Sequence, residues 1–414
     1  MLKLPDIVLA PLGVAYGAAG SARLALYRAG VLAVEHAAAP VVSVGNITAG
    51  GTGKTPLVEW LARAAAREGR RVCILTRGYG RADAGKRVVV SDGERVLAGA
   101  REAGDEPRLL AENLRGLPVA IVSDANRVAA ARWASEQLRS EVFILDDGFQ
   151  HLRLARDLNI LTLDATDPWG GGRLLPRGRL REPLSEMKRA DLIVITRAEN
   201  CGDVEDLRAR AASLSGGRAV LVARTGTLRI TPLVTETPEA TGDARDPNEI
   251  TQTLPADTSR TLISDMPLTH AADASQTLAA DTSQTLAADM PQALPAHISQ
   301  TLLAGIPQPM AAFCAIGNPQ AFFAHARRTG LALNYTRAFA DHHAYTQRDV
   351  DVCLREAVRH GARALLTTAK DAVKLRALDF ALPCYVLEVE LRFDDEQRMR
   401  AILDECLSRR RGKL

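Results

Sequence analysis

Short apolar runs recur along the chain, and several pass through small or acidic residues into segments of helical period. Val41–Val44 predicts a buried strand, and Pro56 to about Arg67 carries apolar residues at Leu57, Val58, Leu61 and Ala65, one face of a helix. The same alternation continues with strands at Val72–Thr76, Val119–Val122, Val142–Leu145, Asn159–Leu163 and Leu192–Ile195, and a helix from about Ala125 to Leu138. A hairpin is predicted for Arg87–Ser91 and Arg95–Leu97 across Asp92-Gly93. Beyond residue 310, strands at Phe313–Ile316, Ala364–Leu366 and Tyr385–Val389 alternate with helices at Gln320–Arg328, Asp349–His360 and Asp395 to about Leu407. Apolar strands separated by helices predict an α/β fold with a mostly parallel sheet covered on both faces.

The stretch between the first strand and helix adds chemistry to the pattern. Gly50-Gly51-Thr52-Gly53-Lys54-Thr55 joins them, with glycines at Gly45, Gly50, Gly51 and Gly53. A glycine turn opening a helix presents backbone N–H groups to an anion; Lys54 adds a charge and the Thr55 hydroxyl a Mg²⁺ ligand. Thr48 stands where the usual G-x-x-x-x-G-K-[ST] pattern has its first glycine, so the match is to the GGxGKT form. The expected architecture is a P-loop NTPase-like domain over residues 36–222 and a smaller α/β domain over 223–414.

Acidic residues at strand ends extend that reading. Val142–Leu145 runs into Asp146-Asp147, hard oxygen ligands beside the phosphate loop, and a cation between the two relieves their repulsion. Arg77 follows the strand Val72–Thr76, where open α/β sheets bind ligands. The loop Trp169–Pro183 carries Arg173, Arg177, Arg179 and Arg181 among glycines, a composition that clamps anions or forms a solvated basic loop. Asp105, before Pro107, reads equally as a helix cap or as a chemical group.

Composition narrows the class. The chain has 414 residues, 47% of them hydrophobic, enough for a sizeable core and two domains. A formal charge of +3, without a basic stripe, argues against nucleic acid. Six scattered cysteines without metal spacing fit a reducing compartment. Residues 1–35 contain an apolar stretch, Ile7–Ala22, too short to span a bilayer. Export would remove the phosphate loop from its nucleotide, so a signal peptide is rejected. A helix interrupted near Pro11-Leu12-Gly13 is expected, packed on the body or lying in a membrane interface, with Arg23 and Arg28 favouring the interface. Between about 240 and 310 the Gln-Thr-Leu triplets and Asp257, Asp265, Asp273, Asp281 and Asp289 follow an eight-residue period, which predicts a low-complexity, disordered insertion peripheral to function.

Taken together, SVGNITAGGTGKTP (43–56), TRGYG (76–80), GDEP (104–107), DDGFQH (146–151), LPRGRLREP (175–183), GNP (317–319), ADHH (340–343) and TTAKD (367–371) make the chain resemble the tetraacyldisaccharide 4'-kinases of lipid A biosynthesis. Arg177 and Ala369 depart from residues common there. The resemblance implies transfer of the ATP γ-phosphate to the 4'-hydroxyl of a tetraacylated glucosamine disaccharide 1-phosphate. It also implies an acylated glycolipid partner at the cytoplasmic face of the inner membrane, peripheral attachment and no obligate protein partner. It assigns Lys54 and Thr55 to phosphate and Mg²⁺, Asp146, Asp147 and Glu182 to the metal region, and Asp105 with His342 to activation of the acceptor hydroxyl. The competing expectation is a P-loop ATPase or GTPase switch acting on a protein partner.

Overall fold

The computed structural model describes residues 6–235 and 303–408, so the octad segment lies outside the described residues. One mixed sheet runs through both stretches. Its first half contains β1 (Val41–Gly45), β2 (Val72–Thr76), β3 (Val88–Ser91), β4 (Val119–Ser123), β5 (Val142–Asp146), β6 (Leu158–Asp164) and β7 (Leu192–Thr196). All but the edge strand β3 are parallel to their neighbours there, and β1, β2, β4, β5, β6 and β7 are buried along their whole length. That explains their continuous apolar runs, since helices cover both faces. The helices of this half are α1 (Asp6–Arg28), α2 (Lys54–Arg67), α3 (Ala100–Ala103), α4 (Asp105–Asn113), α5 (Arg127–Gln137) and α6 (Val204–Leu214).

The second α/β region, from about residue 310 to 408, contains β9 (Met310–Cys314), β10 (Leu333–Ala338), β11 (Ala364–Thr368) and β12 (Cys384–Phe393). With them come α7 (Pro319–Arg328), α8 (Gln347–Arg359), α9 (Ala369–Leu375) and α10 (Glu396–Ser408). Its sheet is joined to the first through β8 (Ala219–Pro232). Ala219–Val222 pairs in parallel with β7, while Ala223–Pro232 pairs antiparallel with β12. One strand bonded to both halves makes a single sheet, continuous in hydrogen bonds, in the order β10-β9-β11-β12-β8-β7-β6-β1-β5-β2-β4-β3.

One local expectation is corrected: the N-terminal helix is not interrupted, and α1 continues through Pro11 to Arg28. The predicted hairpin is present in short form, with a Ser91–Val96 antiparallel bridge, Asp92 N–H donating to Arg95 carbonyl at 3.3 Å and Leu97 N–H to Val90 carbonyl at 2.8 Å. Cys73, Cys314 and Cys384 are buried and unpaired, as their apolar surroundings lead one to expect. Among the described residues no helix is long and apolar enough to cross a membrane.

Candidate active site

The phosphate loop is held from outside. Ala49 carbonyl accepts from Arg179 Nε at 3.1 Å and Nη2 at 2.8 Å, Gly51 carbonyl from Arg197 at 2.7 Å, and Thr52 carbonyl from Thr196 Oγ1 at 2.8 Å. Gln150 donates to Asn46 carbonyl at 2.9 Å. With carbonyls drawn outward, the helix start lacks a partner: Gly53 caps α2 at φ 75°, without a side-chain bond, and no acidic residue occupies the first turn. Orphan N–H groups at the positive end of a helix define an anion seat.

Lys54 closes that seat from the side, with Nζ 3.3 Å from Asn46 Oδ1 and 3.5 Å from Asp147 Oδ1. Arg181 Nη1 donates to both Asp147 oxygens, at 3.0 and 2.8 Å. Burial opposes ionisation of Asp147, but Lys54 and Arg181 hold its carboxyl below the usual range. Asp146 differs. It is 3% exposed, its Oδ1 has no hydrogen-bond partner, and burial, with the Glu106 charge adding to it, pushes its pKa up to about 7. A buried carboxylate oxygen without a donor, beside a phosphate loop, suits a hard divalent cation.

These residues face a cavity of about 790 Å³. Lys54, Arg77, Asp146, Asp147, Arg181 and His342 all line it. Glu182 is not among its lining residues; its carboxylate instead accepts from Arg189. Of the loop arginines, Arg181 reaches the cavity and Arg179 braces the phosphate loop, while Arg173 and Arg177 are exposed and do not line it. Thr55 and the glycine loop also border a second, smaller and more apolar cleft of about 220 Å³, walled by Phe322, Leu387 and Val389.

The far wall is built between the halves. His342 Nδ1 lies 3.3 Å from Asp105 Oδ2, across 237 residues of sequence. Lys370 Nζ is 3.2 Å from His342 Nε2, 3.0 Å from Glu106 and 3.3 Å from Asp341. A lysine only donates, so Nε2 accepts and Nδ1–H donates to Asp105. Burial works against ionisation of Asp105, but the His342 hydrogen bond and Lys374 hold its carboxyl below the ordinary range. Burial likewise opposes charge on Lys370, yet Glu106 and Asp341 keep it more firmly protonated than usual. His342 lines the cavity and Asp105 stands behind it. His343 is turned elsewhere, stacked on Phe339 and 3.2 Å from Asp349.

Among the described residues, three of the four non-glycine positions with positive φ stand here: Asp147 at 53°, Arg197 at 55° and His342 at 60°. Left-handed backbone at such residues is costly and is kept where the surroundings fix a side chain's aim. Sequence reasoning missed Lys370, Arg127 and Arg197. TTAKD contained Lys370, but a helix-face lysine gives no sign of a partner in another region.

A parallel sheet, a phosphate loop with its lysine, paired acids at the neighbouring strand end and an acid–histidine pair on the opposite wall define a P-loop phosphotransferase. A profile of the family described as "Tetraacyldisaccharide-1-P 4'-kinase" matches residues 5–408. Tetraacyldisaccharide 4'-kinase of Geobacter sulfurreducens is 38% identical over 406 residues, covering 98% of this chain and 94% of that one. The Anaeromyxobacter sp. Fw109-5 protein of the same name is 37% identical, with 97% and 93% covered. The crystal structure of LpxK from Aquifex aeolicus in complex with ATP superposes with a TM-score of 0.64 at 26% identity, covering 97% of this chain and 99% of that one. The chain belongs to the tetraacyldisaccharide 4'-kinase family, and it is an ATP-dependent kinase acting on a tetraacylated disaccharide precursor of lipid A.

Proposed function

We propose that the 790 Å³ cavity transfers the γ-phosphate of ATP to the 4'-hydroxyl of a tetraacylated glucosamine disaccharide 1-phosphate, with His342 against the hydroxyl and Asp105 behind it. The observation that carries this is the Asp105–His342 hydrogen bond of 3.3 Å on the wall facing the phosphate loop. The family resemblance implied that Asp105 activates the hydroxyl with His342 as its partner; the order of the two side chains along the wall supports the imidazole in contact instead. Lys370, with Glu106 and Asp341 in reach, can leave Nε2 to them, and that nitrogen then takes the hydroxyl proton as the O–P bond forms. The ionised Asp105 steadies the imidazolium through Nδ1–H.

The Gly50–Thr55 loop and Lys54 bind and orient the triphosphate, where charge builds as the phosphoryl group moves. Mg²⁺ fits Thr55, Asp146 and Asp147, supported by the unpartnered Asp146 oxygen, and when bound it neutralises phosphate charge. Glu182, held by Arg189, orders the end of the arginine loop in this reading. The small apolar cleft beside the loop suits the nucleoside.

The protein works at the cytoplasmic face of the inner membrane, attached peripherally. In support, α1 has no charged residue between Asp6 and Arg23 and exposes Leu12, Val14 and Leu26. Tyr16 and Arg23 of the same helix line the acceptor cavity, so a lipid arriving along α1 reaches the site. Purified protein given labelled ATP and the acylated disaccharide 1-phosphate in mixed micelles tests the reading. Label is expected at the 4' position. Nucleotide turnover of equal rate without lipid would favour the switch instead.

A further inference from the structure

The carboxylate that backs His342 is itself held from behind. Lys374, on the last turn of α9, places Nζ 3.4 Å from Asp105 Oδ2, the oxygen that also meets His342 Nδ1. The same ammonium donates to His343 carbonyl at 3.1 Å, lies 3.2 Å from Asp371 Oδ1 and stands 5.3 Å over the Tyr345 ring. Its side chain is 10% exposed, and that of Asp371 is fully buried. An ammonium has three protons, and three oxygens stand within 3.4 Å of this one.

Those oxygens come from separate pieces of the wall. Asp105 starts α4 in the first half, His343 follows His342 in its turn, and Asp371 belongs to α9. Asp371 is tied to the same turn by a second path. Its Oδ2 accepts from Thr368 Oγ1 at 2.7 Å and from Ala315 N–H at 3.0 Å, and Ala315 carbonyl accepts from His342 N–H at 3.3 Å. One charged atom therefore fixes the acid from behind and the backbone of the imidazole from the side. His342 keeps its left-handed φ of 60° inside that frame. A buried Asp371 accounts for a lysine nearby. It does not account for the reach of that lysine across the halves to Asp105.

We infer that Lys374 is a positioning residue for phosphoryl transfer: its ammonium sets the Asp105 carboxylate on His342 Nδ1 and so aims Nε2 at the acceptor hydroxyl. This rests on the reading of His342 as the base. Lys374 does not line the cavity, so it acts through Asp105 and the His342 turn and touches neither substrate. Lys370, one helical turn earlier on α9, does line it and meets Nε2 directly. The two lysines thus divide the ring between them, one facing Nε2 and the other holding the acid on Nδ1.

The charges around the ring set the sign of the test. Asp105, and Glu106 beyond Lys370, face it from α4; Lys370, Lys374 and the buried Asp371 stand on α9, Asp341 on its own turn, and Tyr79 lies against it. K374M takes away a positive neighbour and favours the imidazolium, so the acidic limb of the kcat profile should move to higher pH, by about half a pH unit or more. Loss of Asp105 acts in the opposite direction. Folded K374M is expected to lose about tenfold or more in kcat, with the KM for ATP held within about twofold. Because K374M leaves Asp371 without its counter-charge, the K374M/D371N pair, which removes both charges, keeps the test open should the single variant not fold. The pair is expected to lose about tenfold or more in kcat by itself, and less than about twofold further when added to D105A. A wild-type rate in K374M/D371N overturns the inference and leaves Lys374 as the counter-charge of Asp371. An unmoved limb in folded K374M, or a pair that costs as much in D105A as in wild type, also overturns it. H342A with near wild-type kcat would refute the base itself, a failure distinct from these.

Discussion

Asp146 ends β5 with its carboxylate 3% exposed and one oxygen unsatisfied, an arrangement that costs stability whenever no cation is present. Burial raises its pKa from the ordinary carboxylate value to about 7 in the fold. A raised folded pKa means that the fold prefers the protonated form. The associated stability is complete below the unfolded pKa of about 4, and it drains away as pH rises through about 7. In EDTA, Asp146→Asn is therefore expected to melt about 2 °C or more above wild type at pH 8, with a smaller gap at pH 5. Added Mg²⁺ and nucleotide should reverse the order, since only the carboxylate gains from the cation. A variant that melts below wild type at pH 8 without metal would show that Asp146 has a partner in the fold. Asp146 was legible in the sequence because an apolar run ending in two acids has few other uses. Arg127 was not: an arginine opening a helix reads as solvated until the sheet order places it over a cavity.

At the scale of elements, the strands that could be read were those buried on both faces. β8 escaped because its pattern alternates only in part, with Arg224 and Arg229 exposed along a strand that bonds two different partners. β10, at the sheet edge, has no fully buried residue and carries no apolar run. α1 was read as broken at Pro11 and is continuous; Gly13 and Gly17 bring it close to Leu174, and Leu24 is buried below. These contacts occupy one side and leave Val14, 73% exposed, and Leu12, 49% exposed, facing away from the core. If α1 gives the protein its membrane affinity, Leu12→Asp with Val14→Asp should lower co-sedimentation with anionic vesicles by about tenfold. Because neither side chain is packed, the melting temperature should stay within about 1 °C of wild type. Undiminished sedimentation of the folded double variant would place the lipid contact on another surface.

The whole molecule explains why the site could be named from motifs but not assembled from them. Each motif lies at the end of a strand or the start of a helix, so its chemistry is local; the distances between motifs come from a sheet shared through β8. Asp105 and Glu106 stand at the start of α4 in the first half, while His342 and Lys370 belong to the second. Arg376 adds a further bond across the halves, at 2.5 Å from Glu112, close to the same wall. In the proposed mechanism a base built from both halves is complete only when they are in register, an arrangement that would limit phosphate loss to water while the acceptor is absent. Removing either member of the pair should then cost nearly the whole effect. His342→Ala is expected to lower kcat by about 10²-fold or more, and Asp105→Ala by a comparable or somewhat smaller factor. The double variant should be little worse than the poorer single, because a positioning carboxylate has no function once its imidazole is gone.

 A pH profile separates this from simple damage to the wall. Loss of Asp105 takes a negative neighbour from the imidazolium, so the acidic limb of the kcat profile should move to lower pH. An unmoved limb in folded Asp105→Ala, or multiplicative losses in the double variant, would show that the carboxylate and the ring work independently.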